Sequence, residues 1–200
     1  MTMIDTPALP AKVATAQATF RTIMDAMARP GTLQRVRDVP SGAPAHLAPA
    51  SAALMLALSD HETPVWLDAA LATGETANWL RFHSGAPIVT DVTQGSFVLC
   101  TTPASVPSLN QLALGTSEYP DRSATLIVQV ESLSEGRPVA LRGPGIRGEA
   151  TLRAAIAPDL VAMLQANHAL FPRGIDTLLV ADDAIIALPR STRLTMQGDA

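Results

Sequence analysis

One cysteine in 200 residues, Cys100, excludes an intrachain disulfide and every CxxC redox or zinc motif by counting alone. Lysine is as scarce: Lys12 stands against thirteen arginines. A pyridoxal phosphate enzyme needs a Schiff-base lysine, and Lys12 lies near the chain start in a predicted helix, so no such cofactor is expected. No Gly-Lys pair exists, which excludes a Walker loop, whose lysine reaches the outer phosphates while backbone amides cradle the inner ones. Positive charge is short as well. A net charge of −4, a pI near 5.5 and the lack of any basic tract argue against nucleic acid as a partner, since backbone binding needs clustered cations to release counterions. Long apolar runs are missing too: the most apolar window, Ala48 to Leu58, contains Pro49 and Ser51 and falls short of the roughly 20 residues of a membrane span. It reads as a buried helix. Met1 to Ala18 holds no basic segment followed by an apolar run, so export is not expected and a reducing cytoplasm fits the single thiol.

What is present is apolar material, 48% of the chain, enough for one domain spanning 1–200 with flexible ends at 1–10 and 196–200. Val13, Ala16, Phe20, Met24 and Met27 recur at three- and four-residue steps, with Arg21 and Asp25 on another face, and Arg29-Pro30-Gly31 ends that helix. Further helices are expected over Ala50 to Leu58, over Glu75 to Phe82 with Thr73 as cap, and from Pro158 until Phe171-Pro172-Arg173-Gly174, with Leu160, Met163, Leu164 and Asn167 on one face. Strands are expected at Leu33 to Val36, around Val65-Trp66-Leu67, at Pro87 to Thr90, Ser96 to Cys100, Ala124 to Val130 and Pro138 to Arg142. Ile175 to Val180 and Ala184 to Leu188 flank Asp182-Asp183 as a hairpin. The alternation defines an α/β domain with a mixed sheet.

Catalytic patterns are incomplete. His46, His61, His83 and His168 are scattered, with no His-x-x-x-His pair, so no metal site is expected. His61 between Asp60 and Glu62 reads as a solvated turn. There is no Gly-x-Ser-x-Gly elbow, and Cys100 at a strand end reads as a small buried residue. Gly143-Pro144-Gly145-Ile146-Arg147-Gly148 fits the spacing of a dinucleotide fingerprint, but Pro144 removes an amide from the loop that would cradle pyrophosphate. A tight structural turn is the better reading. The arginine excess has two readings: a planar fork suits oxyanions, and a GC-rich genome also favours arginine.

Several distinctive motifs follow one another in order along the chain. They are Phe20-Arg21 through Met24, Met27 and Arg29-Pro30-Gly31; Thr63-Pro64-Val65-Trp66-Leu67; Leu80-Arg81-Phe82-His83; and Gly115-Thr116-Ser117-Glu118-Tyr119-Pro120-Asp121. Gly143-Pro144-Gly145-Ile146, Phe171-Pro172-Arg173-Gly174-Ile175-Asp176 and Leu188-Pro189-Arg190-Ser191-Thr192 complete the series. Together these motifs resemble the H-subunit family of the carbon-phosphorus lyase core complex, and the resemblance implies a three-layer α/β domain related to pyridoxal phosphate transferases but without the cofactor. It implies a homodimer that joins the G, I and J subunits, with the L subunit acting alongside. Such an assembly transfers ribose triphosphate from MgATP, a substrate of the complex, to a phosphonate, giving alpha-D-ribose 1-methylphosphonate 5-triphosphate. The resemblance carries no catalytic residue onto this chain.

Candidate binding residues come from local chemistry. With Val139 and Leu141 inward, alternation aims Arg142 outward beside Gly143 and Gly145, whose amides and guanidinium suit an anion or an acidic partner. Arg81, His83, Asp176 and Arg190 lie at ends of predicted elements, where binding groups concentrate. Two functions compete: a subunit that is not catalytic alone, and an independent small-molecule α/β enzyme with an arginine-lined pocket. The absence of a complete nucleophile, metal or phosphate-loop pattern favours the subunit.

Overall fold

The computed structural model describes residues 11–72 and 74–196. Positions 1–10, 197–200 and Thr73 lie outside them, whereas Met196, assigned above to the tail, ends a strand. The helices are α1 (Ala11–Ala28), α2 (Pro49–Leu58), α3 (Gly74–Ser84) and α4 (Pro158–Ala169). The strands are β1 (Gln34–Arg35), β2 (Val65–Leu67), β3 (Ile88–Val89), β4 (Phe97–Cys100), β5 (Thr125–Gln129), β6 (Val139–Arg142), β7 (Ala150–Leu152), β8 (Asp176–Ala181), β9 (Ala184–Leu188) and β10 (Arg193–Met196).

A seven-stranded sheet runs in the order β1-β9-β8-β5-β4-β2-β3. Five neighbouring strands, β3, β2, β4, β5 and β8, are parallel; β9 turns back against β8, and β1 lies antiparallel to β9. The sheet is therefore mixed, as expected. Its central strands are continuous apolar runs because both faces are covered. Leu99, Ile127, Leu178, Val180 and Ile185 face the core built with α1, α2 and α3. Val98, Leu126, Val128, Leu179 and Ile186 alternate to the opposite core, which includes α4 and a second, antiparallel sheet of order β10-β6-β7. The sequence reading missed β7 and β10. β7 has three residues with only Leu152 buried, too short for an alternation to register, and β10 is placed by pairing with β6, which local sequence does not encode.

α1 forms where expected and stops before Gly31, whose φ of 79° a side chain would disfavour. Of the expected inner face Met27 packs against the core, but most of the rest does not. Thr19, Ile23 and Ala26 are buried, while Val13, Phe20 and Met24 stand 41%, 47% and 51% exposed. The reason is steric. α1 packs on α2, whose Ala50, Ser51, Ala52 and Ala53 are all buried, and the small Thr19 and Ala26 permit close approach there.

The β8–β9 hairpin is confirmed, with Asp182 at φ 47°. Its tip ties down two other elements. The Asp183 carboxylate accepts from Arg35 Nη1 at 2.6 Å, the Asp183 carbonyl from the Val36 amide at 2.7 Å, and the Asp182 carbonyl from the Ala50 amide at 2.9 Å. At the other end of β8, buried Asn167 of α4 donates to the Ile175 carbonyl (2.9 Å) and accepts from its amide (2.8 Å), fixing the return from helix to strand. Gly174 is required there, because a Cβ would sit 2.5 Å from Asn167 Oδ1.

Candidate functional site

In open α/β sheets, ligands bind outside the carboxyl ends of the strands, at the point where the strand order reverses. Here the chain passes from β2 outward to β3 and returns on the other side of β2 as β4, so the reversal lies between β2 and β4. Asp68 follows the last residue of β2 at that point and is 2% exposed. Its Oδ1 accepts from the Leu71 amide (3.1 Å); its Oδ2 accepts from the Thr101 amide (2.7 Å), Thr101 Oγ1 (2.6 Å) and Ser105 Oγ (2.6 Å). Burial pushes this carboxyl up, but the Ser105, Thr101 and Leu71 bonds outweigh it and hold the pKa below the ordinary value. Asp68 is therefore an internal anion occupying donors that a ligand anion would otherwise meet.

The neighbouring crevice position is filled in the same way. Gln129, the last residue of β5, donates to the His46 carbonyl (3.0 Å) and accepts from the Ala48 amide (2.7 Å), drawing the 46–48 loop over the strand end. Sequence reasoning missed both residues. Only the strand order shows that Asp68 lies at a reversal, although an acidic residue directly after a predicted strand was a signal. Cys100, beside this cluster, is buried, and burial with the Asp68 charge pushes its thiol up to about 12 despite the Ser105 bond, so the expected inert cysteine stands.

Of the candidates read from the sequence, Asp176, Arg190, Arg81 and His83 lie at the opposite edge, where β8 and β3 begin and β9 ends, and Arg142, Gly143 and Gly145 lie at the end of β6 in the second sheet. Asp176, the first residue of β8, and Arg190, just past β9, form a forked ion pair: Nη2 to Oδ2 at 2.7 Å and Nε to Oδ1 at 3.2 Å. Arg190 also donates to the Pro120 carbonyl and Ser123 Oγ, both at 2.6 Å, so its guanidinium ties three chain segments together. Arg142 ends β6 and pairs with Glu149 at 2.9 Å in an exposed position. A Cβ on Gly145 would lie 2.3 Å from the Ala28 carbonyl, and one on Gly143 2.9 Å from that of Ser191, so this turn is closed against neighbouring backbone. The structural-turn reading holds. Arg81 and His83 are exposed on the last turn of α3, Arg81 near Asn78 and His83 beside Trp79 and Phe82. Asp176 and Arg190 are thus in contact, as are the Arg142, Gly143 and Gly145 neighbours; among the described residues no hydrogen bond or ion pair joins Arg81 or His83 to either group.

Among the described residues no cluster of His, Cys, Asp and Glu has the arrangement to hold a metal ion, and no helix is long and apolar enough to cross a membrane. The geometry defines an α/β protein with a mixed sheet whose expected ligand crevice is filled by its own side chains. The family model described as "Bacterial phosphonate metabolism protein (PhnH)" matches residues 7–195, and the chain belongs to that family. It is 45% identical over 180 residues, 90% of each chain, to "Alpha-D-ribose 1-methylphosphonate 5-triphosphate synthase subunit PhnH" of Rhizobium meliloti (strain 1021). It is also 35% identical over 86 residues, 42% of this chain and 44% of the other, to "Putative C-P lyase subunit protein HtxG" of Stutzerimonas stutzeri.

Proposed function

We propose that the chain is a cytoplasmic, single-domain subunit of a carbon-phosphorus lyase complex that is not catalytic alone. It acts with partner subunits in transferring ribose triphosphate from MgATP to a phosphonate, forming alpha-D-ribose 1-methylphosphonate 5-triphosphate. The full-length likeness to a synthase subunit supports the pathway. The observation that carries the supporting role is the filled crevice: Asp68 and Gln129 spend their polar groups on the chain's own backbone where an α/β enzyme would hold substrate. The proposed relation in fold to pyridoxal phosphate transferases, without the cofactor, is supported by the mixed sheet covered on both faces.

The proposed partners are a second copy of the chain and the G, I and J subunits, with L acting alongside. For self-association the exposed apolar stripe of α1 is the surface we favour. Val13, Ala16 and Phe20, with Gln17, Arg21 and Ala57, line a shallow groove of about 520 Å³. Arg21 lies beside it, and Asp25, one turn on, pairs with Arg29 of its own helix at 3.3 Å, a pair that an isologous contact could extend to Arg21 of a second copy. The purified chain is expected to leave MgATP and methylphosphonate unchanged, and coexpression with the other subunits to recruit it into a larger assembly. Turnover by the chain alone would overturn the supporting role.

A further inference from the structure

The strongest unassigned feature is a cleft of about 370 Å³ between α4 and β10, lined by Gln165, His168, Ala169, Arg193, Leu194 and Thr195. That volume is within the range of small-molecule sites. Its polar groups are held in place from behind. Gln165 Nε2 donates to the Leu194 carbonyl at 3.2 Å, anchoring the helix to the strand. His168 Nδ1 lies 3.2 Å from the Arg190 carbonyl, an acceptor, so Nδ1 carries the hydrogen and Nε2 is left as an acceptor for a donor in the cleft. Arg190 is itself immobilised by the forked pair with Asp176, which makes the pair a positioning device for His168.

The second observation is electrostatic. Arg193 is directly opposite Arg142 in the antiparallel register, so two guanidinium-bearing side chains leave the same face of the small sheet. Like charges so placed repel, and Glu149 neutralises only Arg142. Arg193 is exposed, and its guanidinium has no hydrogen-bond or ion-pair partner among the described residues. One uncompensated cation therefore remains at the cleft, with the Thr195 hydroxyl two residues on along the strand.

We infer that this cleft binds a singly protonated phosphoryl or phosphonyl oxyanion, with Arg193 as the charged contact, the Thr195 hydroxyl as donor and His168 Nε2 as acceptor for the ligand's P–OH. A tetrahedral oxyanion offers several acceptors to a guanidinium fork and relieves the Arg142–Arg193 repulsion. The inference rests on the proposed role in phosphonate metabolism for its choice of ligands, while its geometry is independent of that role.

The test is isothermal titration of the full-length chain with inorganic phosphate, methylphosphonate and MgATP, using wild type, Arg193→Ala and, as a charge-matched control, Arg137→Ala. Wild type is expected to bind at least one of the three, Arg193→Ala to bind it about tenfold more weakly or worse, and Arg137→Ala to match wild type. The ligand that binds tightest identifies the source of the oxyanion. His168 ring signals should shift on binding in wild type. No binding of any probe at millimolar concentration, or equal losses in the two variants, overturns the inference. Normal recruitment of Arg193→Ala into the assembly alongside unchanged oxyanion binding would sink the cleft and leave the subunit reading intact.

Discussion

At the scale of single residues, the sharpest contrast is between Asp68 and Asp176, two carboxylates at opposite edges of one sheet. Asp68 is held ionised by neutral donors, so its folded pKa lies below the unfolded value near 3.8. A depressed carboxylate contributes stability that is present above the unfolded pKa and lost as pH falls through the folded one. Thermal melts of wild type are therefore expected to fall as pH drops below about 4, and Asp68→Asn to flatten that dependence. The variant should also lose about 2–3 kcal/mol at pH 7, because an amide nitrogen cannot accept from the Thr101 and Ser105 donors. A melt unchanged in both respects would refute the internal-anion reading. Cys100 next to it should resist a thiol reagent in the native protein and react once denatured, since burial suppresses its thiolate. Arg190→Lys keeps the charge but loses the fork; with the pair partly exposed, a loss of about 1–2 kcal/mol is expected in denaturant titration.

Among elements, α1 shows how far sequence reaches. Its position, period and stop were legible because Arg29-Pro30-Gly31 and the apolar spacing are local signals. Its orientation was not, because Phe20 and Met24 look like core in any periodicity analysis, and only the small residues of α2 decide that Thr19 and Ala26 go inside. The parallel strands and the hairpin were legible as apolar runs between turn residues. β10 and the strand order were not, since pairing across more than fifty residues of chain is a property of the packed whole. The candidate site suffered most from this: Arg142, Asp176 and Arg190 were readable as charged residues at element ends, but the pairings Arg142–Glu149 and Arg190–Asp176 were not. Phe20→Asp on the outward face of α1 should leave the melting temperature within a few degrees of wild type and convert the proposed dimer to monomer by light scattering. A dimer that survives this change does not use α1.

For the molecule as a whole, the proposed role makes a genetic expectation. Cells lacking this chain should fail to grow on methylphosphonate as phosphorus source, and Asp68→Asn, if it folds at growth temperature, should restore growth, because Asp68 touches no substrate in this reading. Normal growth of the deletion strain without a substitute gene would overturn the pathway assignment. Failure of a folded Asp68→Asn chain to complement would instead move the carboxylate from architecture to chemistry.

The hairpin tip that clasps β1 and α2 has a consequence for synthesis. Arg35 and Val36 find their partner in Asp183, and Gln34 pairs with Ile185, so an element made near the start waits for one made near the end. While the ribosome is still translating residues before 180, α1 and α2 have only part of their sheet to dock on, and their apolar surfaces remain open to other nascent chains. A stop codon just upstream of the hairpin would thus remove few residues yet deprive the amino-terminal third of its seat. Such a truncated polypeptide is a natural client for holding chaperones rather than a shorter functional subunit.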